Sequence, residues 1–149
     1  MNNELKAKQE IISAETIEVA KAIVQSANAF MNEFPKSDIF SFSNSRRTED
    51  YSEKYFSFIS SIFPLLSRLN ELNADMASLL IKSDKKMEID IIVLCEKRFN
   101  AFEAFEKSLY EYTSAMESEL SKPSASVIFI LNSTQKFKEA LNQLITSNL

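Results

Sequence analysis

The chain contains no glycine, no histidine and no tryptophan, and a single cysteine, Cys95, among its 149 residues. Average usage of about 7% would place roughly ten glycines in a chain of this length. Glycine supplies the positive-φ positions of tight hairpins and lets backbone come close to a phosphate. A β-rich fold with tight hairpins is therefore hard to build here. Phosphate-cradling loops of the P-loop or dinucleotide-binding kind are excluded. Helices need glycine least.

The missing histidine removes the usual general acid/base, the commonest transition-metal ligand and the middle member of a Ser-His-Asp or Cys-His arrangement. One cysteine allows neither an intramolecular disulfide nor a cysteine-based zinc site, and a lone thiol is compatible with a reducing compartment. The first ten residues are charged and lack the apolar centre of a signal peptide, and no stretch approaches 18 apolar residues. The expectation is a soluble, cytoplasmic protein without membrane attachment, cofactor or metal. Its formal charge of −4 and pI of about 5.0 repel phosphate backbones, and no basic stripe offsets them, so nucleic acid is not an expected partner.

Hydrophobic residues make up 45% of the chain and charged residues 26%, near the averages for soluble globular proteins and enough for one domain with a real core. Apolar periodicity predicts an all-α fold: an elongated antiparallel bundle of about four long helices over approximately 3–34, 48–82, 84–121 and 123–147. Asn3 caps the first and Pro35 stops it, with Leu5, Ile12, Val19, Ile23, Phe30 and Phe34 mostly on one side. The second carries the strongest pattern. Tyr51, Tyr55, Phe58, Ile62, Leu65, Leu69, Leu72, Met76 and Leu79 recur at alternating spacings of 4 and 3, and Ile59, Leu66 and Leu80 widen the stripe to that of a bundle core. Pro64 interrupts it locally and predicts a kink rather than a break. In the third helix the row Ile92, Cys95, Phe99, Phe102, Leu109 and Met116 includes two polar positions, Glu106 and Thr113, with Phe105 and Tyr112 flanking it. In the fourth, Val127, Ile130, Phe137, Leu141 and Leu144 line one side and Thr134 interrupts them.

Two constellations stand out from the bundle pattern. Residues 35–45 form the longest segment without a helical signal, and Ile39, Phe40 and Phe42 sit in it beside Arg46 and Arg47. Aromatic residues next to arginine are enriched at interface hot spots, so these five are the candidate partner-binding residues; the plainer reading has them fold back over one end of the bundle. The second constellation is Glu106, Cys95 and Thr113, which could hold a small ligand between helices. Against it, Glu106 sits at a wet boundary if the helix rotates Phe105 and Tyr112 inward, and Cys95 serves as a small core residue. Lys97 and Arg98 are expected to point away from Cys95. Paired glutamates such as Glu15/Glu18 and Glu103/Glu106 lack the histidines of a dimetal carboxylate site and read as solvated faces.

These features favour a non-enzymatic protein–protein interaction module, of the kind that serves as an immunity protein, inhibitor or accessory factor, whose partner is another protein. The alternative is a ligand-sensing bundle that binds a small molecule or metal between its helices. Self-association into a homodimer through the wide stripe of the second helix is a further option.

Overall fold

The computed structural model describes residues 2–32, 45–82, 89–121 and 127–148. They form four helices, α1 Asn2–Met31, α2 Ser45–Lys82, α3 Ile89–Ser121 and α4 Val127–Thr146, and no strand among the described residues. The all-α bundle expected from the sequence is thus the observed architecture. α2 runs through Pro64 as one helix of 38 residues, about 57 Å at 1.5 Å per residue. It starts at Ser45, so the backbone of Arg46 and Arg47 belongs to its first turn rather than to the preceding connection.

Side-chain pairs fix the helix directions. Glu15 meets Arg68 and Phe30 meets Tyr55 and Phe58, so α1 and α2 run antiparallel. Tyr55 reaches the carbonyl of Thr113, while Met76 and Leu79 share a cluster with Cys95, so α2 and α3 are antiparallel too. Phe137 stacks on Tyr112 and the Ser147 carbonyl lies at Arg98, which sets α4 against α3. The result is an up-down-up-down bundle whose closest helix pairs are the two hairpins, α1–α2 and α3–α4. Ala20 and Ala27 on α1, Ala101 and Ala115 on α3 and Ala140 on α4 are buried, and side chains this small let helix backbones approach closely.

α2 turns the expected face inward: Tyr55, Phe58, Ile62, Leu69, Leu72, Met76 and Leu79 are all buried. α3 does not. Its buried row is Cys95, Arg98, Phe102, Phe105, Ser108, Tyr112 and Met116, so the helix is rotated toward its flanking aromatics. Glu106 is consequently exposed, and Arg98, expected to point away, is only 5% exposed. α1 also departs from the expectation. Its inward row is Gln9, Ser13, Thr16, Ala20, Ile23, Ala27 and Phe30, again at alternating spacings of 4 and 3, whereas Leu5, Ile12 and Val19 are half-buried beside it.

Those polar residues divide the core. The larger cluster contains two aromatic groups, Phe30–Phe58–Tyr55 from the first hairpin and Tyr112–Phe137–Phe105 from the second. The smaller one is built from Met76, Leu79 and Cys95 with Leu5, Ile12, Leu80 and Phe99 packed on it, all from α1, α2 and α3. Between them lie Gln9, Ser13, Thr16 and Arg98, at the level where α4 ends.

One ion-pair clamp ties the first hairpin together. Arg68 donates from Nε to Glu15 at 2.5 Å and from Nη2 at 2.7 Å, and from Nη1 to Glu71 at 2.8 Å. The guanidinium's hydrogen bond holds the Glu15 carboxyl below its ordinary pKa. Because the folded value is the lower one, the stability from this contact is present above the unfolded-state pKa and is lost as pH falls through the folded one. The contact is solvent-exposed, so its contribution is small and weakens with salt. In a carboxyl-detected NMR titration Arg68→Gln is expected to raise the Glu15 midpoint above its wild-type value. An unchanged Glu15 midpoint in Arg68→Gln would show that the clamp does not persist in solution.

Candidate functional site

Large aromatic side chains are exposed along the outer seam of α2 and α3, while Ile11, Ile81, Ile89 and Val93 are exposed on other stretches of α1, α2 and α3. Phe56 and Phe63 lie seven residues apart on α2, two helical turns, and are 55% and 65% exposed; Tyr110 on α3 is 73% exposed. Phe63, Leu66 and Ser67 line one side of a hollow of about 310 Å³, and Phe102, Glu106 and Leu109 line the other. The antiparallel register puts Phe56 near the level of Thr113 and Phe63 near that of Glu106, so the aromatic residues continue the groove along the bundle.

The groove has a polarity across its width. On α2 the groove-facing positions Phe56, Ser60, Phe63, Ser67 and Asn70 carry no charge. On α3 the corresponding stripe is Glu103, Glu106, Tyr110, Thr113 and Glu117. Glu117 faces α2, since its charge acts on Tyr55. The nearest lysines are turned to other sides: Lys54 lines a hollow between α1 and α2, and Lys107 one between α3 and α4. One wall is uncharged and the other acidic.

Of the sequence candidates, Ile39, Phe40 and Phe42 lie outside the described residues, as do the side chains of Arg46 and Arg47. Glu106, Cys95 and Thr113 share α3 but no pocket. Glu106 and Thr113 stand about 16 and 27 Å along the helix from Cys95 at 1.5 Å per residue. Cys95 is fully buried in the small apolar cluster, where burial pushes its thiol pKa up and Arg98, one turn on, pulls it partly back. Thr113 donates its hydroxyl to the Leu109 carbonyl at 2.9 Å, satisfying itself within its own helix. Glu106 alone of the three lines the groove.

Sequence reasoning passed over Phe56, Phe63 and Tyr110. They fall one position off the core rows, where a large apolar residue at an outward position is the available signal. It also passed over the Gln9–Ser13–Thr16 row, whose 4 and 3 spacing continues directly into Ala20 and Ile23. Among the described residues no group of three or more Asp, Glu or Cys is arranged to hold a metal ion, and no helix is long and apolar enough to cross a membrane. No known family model matches the chain, and no curated protein or solved structure is detectably similar to it.

Proposed function

We propose that this chain is a non-enzymatic protein-binding module that uses the outer α2–α3 groove to seat an amphipathic helix of another protein, one with an apolar face and lysine or arginine along one flank. The observation that carries this reading is Phe63, exposed on the rim of the α2–α3 hollow, with the exposed Phe56 two turns before it on α2 and the exposed Tyr110 one turn beyond Glu106 on α3. A helix laid in a groove anchors through side chains at i, i+3, i+4 and i+7, which matches the spacing of these residues along the bundle. The acidic α3 wall favours a basic flank and disfavours an acidic one. A second copy of this chain, itself acidic, fits less well.

The test is an NMR titration of the labelled chain with two synthetic 18-residue helical peptides that share a leucine face and carry either lysine or glutamate along one flank. The lysine peptide is expected to shift α2 and α3 groove amides and to bind at least tenfold more tightly than the glutamate peptide. Phe63→Ser should weaken it by about tenfold, the loss of one interface anchor worth a little over 1 kcal/mol. Glu106→Lys should erase the preference between the peptides. Shifts that map elsewhere, or equal binding of both peptides, would remove the groove from consideration. The 39–47 segment is the competing surface, and a Phe40→Ser/Phe42→Ser variant in the same titration separates the two. Light scattering on the same samples reports whether a second copy takes the place of the peptide.

A further inference from the structure

Arg98 carries a positive charge into the middle of the bundle. It is 5% exposed, and no carboxylate reaches it among the described residues. Its partners are neutral. Nε donates to the Ser147 carbonyl at 3.2 Å. The Gln9 amide, turned so that its oxygen faces the guanidinium, accepts from Nη1 and from Nη2 at 2.8 Å, and from the Ser13 hydroxyl at 3.0 Å. These bonds use three of the five guanidinium N–H groups. The C-terminus of α4, to which Ser147 belongs, contributes roughly half a negative charge. Among the described residues no carboxylate supplies the remainder, an unpaired buried charge is costly, and burial pulls the Arg98 pKa down.

Next to it is a cavity of about 20 Å³, lined by Thr16 of α1, Asn73 of α2, Arg98 of α3 and Asn148 just after α4, with Leu69 and Leu144 among its apolar walls. A single water-sized occupant needs roughly 10–15 Å³, so one monatomic guest fits and a polyatomic one does not. Arg98 offers only donors, the Asn73 and Asn148 amides each offer N–H donors beside an acceptor oxygen, and Thr16 offers only its hydroxyl oxygen. Asn148 spends one amide N–H on the Leu144 carbonyl at 2.8 Å and keeps the other, and Thr16 spends its hydroxyl on the Ile12 carbonyl at 2.7 Å. The Asn73 amide has two N–H groups of its own. A cation, two amides and a space of atomic size describe the chemistry of a small anion's first shell.

We propose that this cavity binds one monovalent halide-sized anion, chloride in physiological media, with Arg98 as its charge partner and the Asn73 and Asn148 amides as hydrogen-bond donors. The site draws a residue from each of the four helical segments, so the anion ties together the level of the bundle where the two apolar clusters part. The cavity shares the apolar walls Leu69 and Phe102 with the groove, but none of its polar groups lines the groove, so the proposal does not rest on the groove's binding a helix.

Thermal unfolding of the full chain at constant ionic strength, with sodium gluconate replaced stepwise by sodium chloride, tests it. The midpoint is expected to rise saturably, by roughly 3–6 °C at about ten times the dissociation constant, and bromide should act like chloride. Arg98→Met should abolish the response, and Asn73→Ala should shift it to higher chloride while leaving the fold intact by circular dichroism. If Arg98→Met does not fold, chloride-35 NMR on the wild-type chain supplies the second measurement: broadening that bromide competes away supports the site. Equal curves in gluconate and chloride, a response that survives Arg98→Met, or no competable broadening would each overturn the proposal and leave a neutral water as the occupant.

Discussion

Phe137→Ala is expected to cost about 3–5 kcal/mol, the range for truncating a large buried aromatic side chain. Phe137 is fully buried on α4 and joins two helices at one point, stacked on Tyr112 at 5.0 Å between ring centroids and tilted against Phe105 at 6.1 Å. It belongs to the larger core cluster, to which all four helices contribute. Against a total stability of about 5–15 kcal/mol for a domain of this kind, the loss leaves a chain that unfolds at low urea. The neighbouring Tyr112→Phe is expected to behave in the opposite way. The Tyr112 ring is fully buried and its hydroxyl has no hydrogen-bond partner among the described residues, so removing that one oxygen keeps the stacking and takes away an unsatisfied polar atom. The expected change is between zero and about 1 kcal/mol of stabilisation. Urea unfolding of both variants checks the pair. A Phe137→Ala loss below about 1 kcal/mol would mean that α4 is not docked as described, and a destabilised Tyr112→Phe would mean that the hydroxyl has found a partner.

Pro64→Ala is expected to stabilise the chain by about 2 kcal/mol and to raise its melting temperature by roughly 4–8 °C. Proline inside a helix is about 3 kcal/mol less favourable than alanine, because it lacks the N–H that would reach the carbonyl four residues back and its ring crowds that carbonyl. Here the carbonyl belongs to Ser60, and both Ser60 and Pro64 are exposed, so no core contact is lost by the change. Part of the gain is offset by the greater freedom that alanine allows the unfolded chain, about 0.4–1 kcal/mol. Differential scanning calorimetry measures the shift; an unchanged or lowered midpoint would show that the proline relieves a strain greater than the one it creates. Residual dipolar couplings of the same variant address the bend expected at Pro64, since the two halves of α2 should change their mutual angle if the proline bends them. Pro64 adjoins Phe63, and a groove that depends on that bend would also bind the lysine peptide less well in Pro64→Ala.

How much of this was legible in advance differs from helix to helix. The face of α2 could be read because nine apolar residues follow an unbroken 4–3 row, and the rotation that turns this row inward buries most of it while leaving Phe56 and Phe63 outside. α3 offers two overlapping rows that share Cys95, Phe102 and Met116. One continues through Phe99, Glu106 and Thr113, the other through Arg98, Phe105 and Tyr112. Each row contains a charged residue, so apolar count alone does not choose. The choice falls to Phe105 and Tyr112, whose rings pack against Phe137 of α4, and burying them carries Arg98 inward with them. α1 misled for a related reason. Its inward row is polar at Gln9, Ser13 and Thr16, and the eye follows Leu5, Ile12 and Val19 instead. The polar inward row is satisfied in place: Arg98 opposite donates to the Gln9 amide oxygen, and Thr16 donates to the Ile12 carbonyl of its own helix.

The sequence by itself determined the helical class, the number of helices, the inward face of α2 and the exclusion of glycine-dependent phosphate loops and histidine chemistry. All of these are local properties, set by residue type and by spacing along one chain segment. Only the tertiary structure decided the rotation of α3, the burial of Arg98 beside an atom-sized cavity, and the meeting of Phe63 with Glu106 across one groove. Those depend on which residues of a distant helix complete the packing, and no single helix contains that information.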